Sequence, residues 1–149
     1  MRQYSLSTAC GDGTWRIAVR RVDPAGGGCP AGEVSGWLHA TAGVGTELQV
    51  TLPFGDLVLD QAGVESDTAP VVLCSAGIGI TPMLGMLAQL AADADPRRVL
   101  VLHADRSPDQ HVLAGEVAGE SSLLADAEVH TWYEAGADAV SGPGSVHSG

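Results

Sequence analysis

The sequence predicts a two-part protein: an antiparallel β portion forming a partial barrel or sandwich, then a parallel β-α-β-α-β portion. Three observations carry this. Apolar residues alternate with polar ones in stretches before residue 60, they come in continuous runs after residue 70, and the segments between those runs have helical spacing.

In the first part, Trp15, Ile17 and Val19 alternate with Arg16, Ala18 and Arg20. Leu48, Val50 and Leu52 likewise alternate with Glu47, Gln49 and Thr51, the period of half-buried antiparallel strands. The Gly/Pro-rich run Pro24 to Gly32 reads as a loop feeding one or two helical turns over Glu33 to His39. Gln61 to Pro70, with Gly63, Ser66, Asp67 and Pro70, has turn chemistry and no periodicity, which places a linker at 61–70 between portions 1–60 and 71–135. Val71 to Cys74 and Val99 to Leu102 read as parallel strands covered on both faces. Thr81 to Ala92 supplies a helix with Met83, Leu84, Leu87, Leu90 and Ala91 on one face and Pro82 in its first turn. A second helix is expected to start at Ser107-Pro108-Asp109 and run through Val112, Leu113, Val117 and Leu124, with Gly115 and Gly119 each weakening it by ~1 kcal/mol. Glu128 to Tyr133 gives the third strand, and residues 136–149, ending in Ser141 to Gly149, read as a disordered tail.

Composition removes several function classes. The chain has 149 residues, 45% of them apolar, enough for an ordinary core. All seven basic residues are Arg, so Schiff-base and P-loop lysine chemistry are excluded. The net charge is −11, and neither half offers the basic footprint of a nucleic-acid or anionic-membrane binder. Cys10, Cys29 and Cys74 are odd in number and widely spaced, which argues for reduced thiols in a cytoplasmic protein and against a disulfide framework or metal cluster. No run approaches the ~20 apolar residues of a membrane span, and no signal-peptide pattern follows Met1.

The informative motif is Cys74-Ser75-Ala76-Gly77-Ile78-Gly79-Ile80-Thr81-Pro82, a glycine turn between an apolar strand and a helix. Glycines let the backbone approach a pyrophosphate, and a helix start offers unpaired N–H groups and its positive dipole end. The pattern is GxGxxP and lacks the third glycine of the dinucleotide fingerprint, so an ordinary tight βα turn remains an alternative. The five histidines form no HExxH motif and no metal is expected. Ser75 has no GxSxG setting and no evident His and Asp partners, which argues against acyl transfer. Glu134 stands where it would meet an adenosine ribose and disfavour a 2′-phosphate, whereas Arg106 pulls towards one, leaving NADH against NADPH open.

Six segments, in order and spacing, resemble one family: Arg2-Gln3-Tyr4-Ser5-Leu6, Gly32 to His39, Pro53-Phe54-Gly55-Asp56, Ser75 to Met83, His103-Ala104-Asp105-Arg106 and Thr131-Trp132-Tyr133. The chain is similar to the reductase module of flavohaemoglobins, of the ferredoxin-reductase-like superfamily. The resemblance implies a partial FAD-binding β-barrel followed by a partial NAD(P)H-binding α/β domain. It implies FAD contacts from Arg2, Gln3, Tyr4 and Ser5, with Arg2 on the pyrophosphate, Tyr4 against the isoalloxazine and Ser5 at flavin N5; Tyr4 and Ser5 are thus the expected catalytic pair. Gly32, Val34 and Ser35 would cradle the FAD pyrophosphate. Gly77, Ile78, Gly79, Ile80, Thr81 and Pro82 would hold the nicotinamide nucleotide, with Thr81 near the nicotinamide.

The implied activity is hydride transfer from NAD(P)H to FAD and then electron transfer to a small acceptor or a haem domain, in the parent the haem of a nitric oxide dioxygenase. The alternatives are a non-catalytic flavin- or nucleotide-binding or electron-transfer subunit, and the reductase component of an oxygenase. The matching region starts at the flavin signature itself, and neither the family's Cys-Gly-Pro segment nor a globin segment is found, so a module truncated at both ends, without its own haem, is expected. Its partial barrel and three-stranded sheet would leave association-prone edges.

Overall fold

The computed structural model describes residues 2–9, 11, 13–24, 28, 30–59 and 69–134. The linker expected at 61–70 falls mostly outside the described residues, as do the tail at 136–149, Cys10 and Cys29.

The parallel portion forms as predicted. Strand β1 (Val71–Ala76), helix α2 (Ile80–Ala92), strand β2 (Val99–Asp105), helix α3 (Ala114–Ser121) and strand β3 (Ala127–Tyr133) follow helix α1 (Glu33–Thr41) in the chain. The strands pair in parallel in the order β1-β2-β3, with Val71 opposite Val99 and Val99 opposite Ala127. Val99, Val101 and Leu73 meet Ile80, Leu84, Leu87 and Leu90 of α2 and Val117 of α3 in one core. The apolar stripe predicted for α2 is the face that is buried, apart from a half-buried Ala91.

The expectation of cover on both sheet faces is corrected. Strands added successively in one direction, with right-handed crossovers, put both connecting helices on one face. Val72 and Cys74 on the other face are exposed, and Leu100 and Leu102 are half-buried. The second helix is also shorter than expected. Pro108–Gln110 makes a single 3₁₀ turn, His111 leaves helical geometry, and Leu113 adopts a left-handed φ of 63° before α3 begins. Ser107 makes no capping bond, and two glycines in eight residues leave α3 little propensity of its own.

Among the described residues of 2–59 the antiparallel portion shows no strand ladder, and the barrel is not confirmed. Among the described residues there is one antiparallel bridge, Leu6 to Ile17, reinforced by Ser7 N–H donating to the Arg16 carbonyl at 2.9 Å and the Arg16 guanidinium donating to the Ser7 carbonyl at 2.7 Å. Leu48, Val50 and Leu52 alternate as read, yet all three are exposed and in no strand. Alternation specifies which side of a strand faces a core; the ladder and the opposing wall must come from other strands, and a barrel closes only when each strand has two neighbours.

The β-like segment is nonetheless seated on the α/β unit. At Gly85 of α2, a Cβ would stand 2.6 Å from the Leu6 carbonyl oxygen and 3.5 Å from that of Thr8. Glycine is what lets this backbone cross the helix so closely.

Candidate functional site

The glycine turn lies at the C-terminal edge of the sheet, where open α/β folds place ligands. Gly77–Gly79 forms a 3₁₀ turn between β1 and α2, and Gly77 holds a φ of 50° that L-residues avoid. No side chain caps this turn or α2, and nothing lies within 4 Å of where a Cβ on Gly77 or Gly79 would be. The turn therefore opens onto free space.

That space is a cavity of about 430 Å³, within the range of ligand sites. Gly77 and Ile78 form one wall, and Asp105, Arg106 and Gln110 from the end of β2 and its following turn form another. Arg20 reaches it from the N-terminal portion. Neither the Arg20 nor the Arg106 guanidinium has a partner among the described residues. Two free guanidiniums beside a glycine turn make a phosphate-binding arrangement, since each can present parallel N–H donors to phosphate oxygens. The sequence reading missed Arg20 and Gln110 here. In the sequence Arg20 is one residue on the polar face of an alternating stretch, and its meeting with a turn far along the chain is a tertiary event.

The expected nucleotide residues are sorted by the structure. Gly77 and Ile78 line the cavity. Ile80 is fully buried in the core, so only its backbone is available to a ligand. Thr81 is buried too, and its hydroxyl donates to the Ile78 carbonyl at 3.1 Å, stabilising the turn. Pro82 is half-buried in the first turn of α2. Glu134 is exposed, and its N–H donates to the Asp105 carbonyl at 3.0 Å, which sets it at the same sheet edge.

Beneath the cavity lies a polar cluster that corrects the reading of Ser75 as unpartnered. Ser75 is in register with His103 on β2, and its hydroxyl lies 2.9 Å from His103 Nδ1. With the hydroxyl donating, the ring proton sits on Nε2, which faces Asp105 Oδ2 at 3.5 Å. His111 stacks on His103 with ring centroids 4.4 Å apart, and its Nδ1 is 3.0 Å from the Tyr133 hydroxyl. Burial, then the neighbouring His103, hold the His111 pKa below its ordinary value, and Asp105 opposes this. The His103 side chain is only 1% exposed, so its ring cannot take a proton from a nucleophile attacking bound substrate, and the string gives no support to acyl transfer. Among the described residues, no three His, Cys, Asp or Glu side chains are placed to hold a metal ion.

The expected flavin residues lie on the segment that crosses α2. Arg2, Gln3 and Ser5 are exposed and Tyr4 is half-buried. The Arg2 guanidinium has no partner among the described residues. Gly32 and Ser35 do other work: the Gly32 N–H donates to the Val22 carbonyl at 2.8 Å, and the buried Ser35 hydroxyl takes the Val22 N–H at 3.2 Å. A Cβ on Gly32 would meet Ser35 Oγ and Val22 Cβ, so glycine is required for this clasp. Glu33, Val34 and Ser35 still present the first-turn amides of α1, with no side-chain cap upon them.

A parallel β-α-β-α-β sheet with a glycine turn and a phosphate-suited cavity at its C-terminal edge defines a nucleotide-binding domain. Residues 73–146 match the family model described as the oxidoreductase NAD-binding domain. The chain is also related to the flavohemoproteins: it is 40% identical over 139 residues to that of Bordetella pertussis (strain Tohama I), covering 92% of this chain and 33% of that protein. The flavohem-like FAD/NAD-binding domain of nitric oxide dioxygenase from Vibrio cholerae O1 biovar El Tor superposes with a TM-score of 0.74 at 36% identity, over 89% of this chain and 52% of that one. Ferredoxin-NADP+ reductase from Plasmodium falciparum shares the fold alone, with a TM-score of 0.69 at 16% identity over 89% of this chain and 51% of that one. The chain spans about a third of the length of the flavohemoproteins it matches.

Proposed function

We propose that this chain is the core of an NAD(P)H:FAD oxidoreductase module, with NAD(P)H at the Gly77–Gly79 turn and FAD along Arg2 to Ser5. The observation that carries the reading is the cavity in which a left-handed Gly77 turn faces the guanidiniums of Arg20 and Arg106, both unpaired among the described residues. The fit is chemical. A dinucleotide pyrophosphate needs close backbone approach and cationic donors, and both are present. The flavin fit rests on the unpaired Arg2, the exposed Ser5 and the first-turn amides of α1 around Val34 and Ser35.

Bound together, the two cofactors supply hydride transfer from nicotinamide to flavin and then release of single electrons to an acceptor. The protein's residues do the placing. Arg20 and Arg106 hold the pyrophosphate, and the Thr81 hydroxyl, bonded to the Ile78 carbonyl, fixes the turn behind it. Arg2 would hold the flavin phosphates, Tyr4 would lie against the ring, and Ser5 would offer its hydroxyl at flavin N5. Gly85 lets the Leu6 backbone cross α2 closely, and so would help fix where the Arg2 to Leu6 segment could hold the flavin. In the parent protein we place a haem domain as electron acceptor, in a cytoplasmic nitric oxide dioxygenase; a small soluble acceptor or an oxygenase would draw electrons by the same route.

The sheet face bearing Val72, Leu100, Leu102 and Trp132, uncovered by α2 and α3, favours a second reading, in which the chain is a non-catalytic electron-transfer or cofactor-binding subunit that docks on another polypeptide. One experiment separates them. The purified chain is loaded with FAD, gel-filtered, and assayed for NADH oxidation with ferricyanide. A yellow protein that turns over supports the reductase; a yellow but inert one favours the subunit; a colourless, inert one removes both flavin claims.

A further inference from the structure

We infer that His103 is a positioning residue for the dinucleotide cavity, locking its two walls together from below. The inference rests on the reading of that cavity as the NAD(P)H site. The walls belong to different strands. One is the turn that begins at Gly77, two residues beyond Ser75 on β1; the other is Asp105 and Arg106 at the end of β2. Backbone pairing between β1 and β2 ends at Ala76 opposite Ala104, so beyond that point no ladder holds the walls at a fixed separation. His103 lies opposite Ser75, one pair inside the end of the ladder, and its ring adds a side-chain link between the strands at the base of both walls. Nδ1 engages the Ser75 hydroxyl at 2.9 Å, and Nε2 faces Asp105 Oδ2 at 3.5 Å.

Asp105 passes the constraint on. Its Oδ1 accepts the Arg106 N–H at 2.8 Å, which fixes the backbone from which the Arg106 side chain departs into the cavity. The route from Ser75 through His103 and Asp105 therefore ends at a phosphate-suited guanidinium on one side and at the glycine turn on the other. The remaining faces of the ring are filled. His111 stacks at 4.4 Å and is itself held by Tyr133 of β3. A merely space-filling side chain here would be apolar, as Val99 and Val101 are on the same face of β2. Instead, among the described residues, His103 Nε2, Asp105 Oδ2 and His111 Nε2 are buried beside the cavity without hydrogen bonds, an arrangement that costs stability.

The test measures NADH affinity and folding separately on the full chain, with NADH fluorescence for binding and urea unfolding for stability. His103→Leu keeps bulk and loses both contacts; His103→Asn can keep the Ser75 contact, and His103→Gln can reach towards Asp105. With positioning, His103→Leu weakens NADH binding on the order of tenfold in protein that is still folded, and Asn or Gln recovers part of the loss. Ser75→Ala should weaken binding in the same direction and add little to the effect of His103→Leu, because both cut one route. If wild type binds NADH and folded His103→Leu binds equally well, the inference is overturned while the site assignment stands. If wild type fails to bind NADH, the site assignment fails and takes the inference with it. Should His103→Leu not fold, Ser75→Ala decides: unchanged NADH affinity in that variant overturns the inference, and weakened affinity sustains it.

Discussion

Gly85→Ala is the substitution with the sharpest structural argument. In an isolated helix it would stabilise by about 1 kcal/mol, since alanine is the better helix former. Here the new methyl would stand 2.6 Å from the Leu6 carbonyl oxygen, and ordinary contact begins at 3.4 Å, so the crossing segment must retreat by roughly 0.8 Å. The obstacle is backbone, which cannot rotate aside as a side chain can. Forced overpacking of this kind costs about 1–3 kcal/mol, leaving a net loss of up to about 2 kcal/mol after the helix gain. The segment is held mainly by the Leu6–Ile17 bridge and the Ser7–Arg16 bonds, so it shifts more readily than α2, which is anchored by Leu84 and Leu87. The functional effect should therefore exceed the effect on stability. FAD affinity, measured by flavin fluorescence quenching, should fall by about tenfold or more, with NADH affinity changed less than threefold, a selective displacement consistent with the cost of small misplacements. Unchanged flavin affinity together with raised stability would refute the close crossing as a determinant of the flavin site.

Arg2→Ala removes a charge-assisted contact of roughly 1.5–3 kcal/mol and should weaken FAD binding by ~10- to ~150-fold, whereas Ser5→Ala should lower the reduction rate and change affinity by less than ~10-fold; the reverse pattern in flavin titration and stopped-flow reduction contradicts those roles. His111, with its pKa depressed in the fold, makes stability full above its unfolded value near 6.5 and progressively lost as pH falls through the lower folded value. Urea midpoints should thus fall between pH 7.5 and 5 more steeply in wild type than in His111→Asn, and equal slopes would be contrary evidence. Asp95 accepts from the Arg97 backbone at 2.9 Å and from its guanidinium at 2.7 Å, holding its carboxyl below the usual range. Asp95→Ala should cost about 1 kcal/mol at pH 7 and less once the pH lies below the folded value, where wild type has also lost the ion pair; a cost independent of pH would show the charge to be immaterial.

What could be read from the sequence depended on how local its cause was. The α2 stripe, the three parallel strands and the turn at Gly77 are set by residues within a dozen positions of one another, and they appear nearly where expected. The start of α3 was misplaced because Ser107-Pro108 supplies good starting chemistry while the left-handed Leu113 breaks the helix, and leucine carries no signal for that geometry. The barrel is not confirmed among the described residues, because alternation at Leu48, Val50 and Leu52 specifies a face and says nothing of a partner strand. The residues that complete the site were hidden for the opposite reason. Arg20 is one polar-face residue among others in the chain, and His103, though part of a family-like segment, carries no sign there of its bridge from Ser75 to Asp105; only strand register and the crossing at Gly85 bring them into place.

The most direct measurement is an NADH titration of the purified chain beside an Arg20→Ala, Arg106→Ala double variant, followed by isothermal calorimetry at low and moderate salt. The account predicts saturable one-to-one binding with Kd at or below about 1 mM, weakened at least tenfold in the double variant and weakened by salt in the wild type. Binding that is absent, or that is equally strong in the double variant, would contradict the assignment of the Gly77 turn and its two arginines as the dinucleotide site.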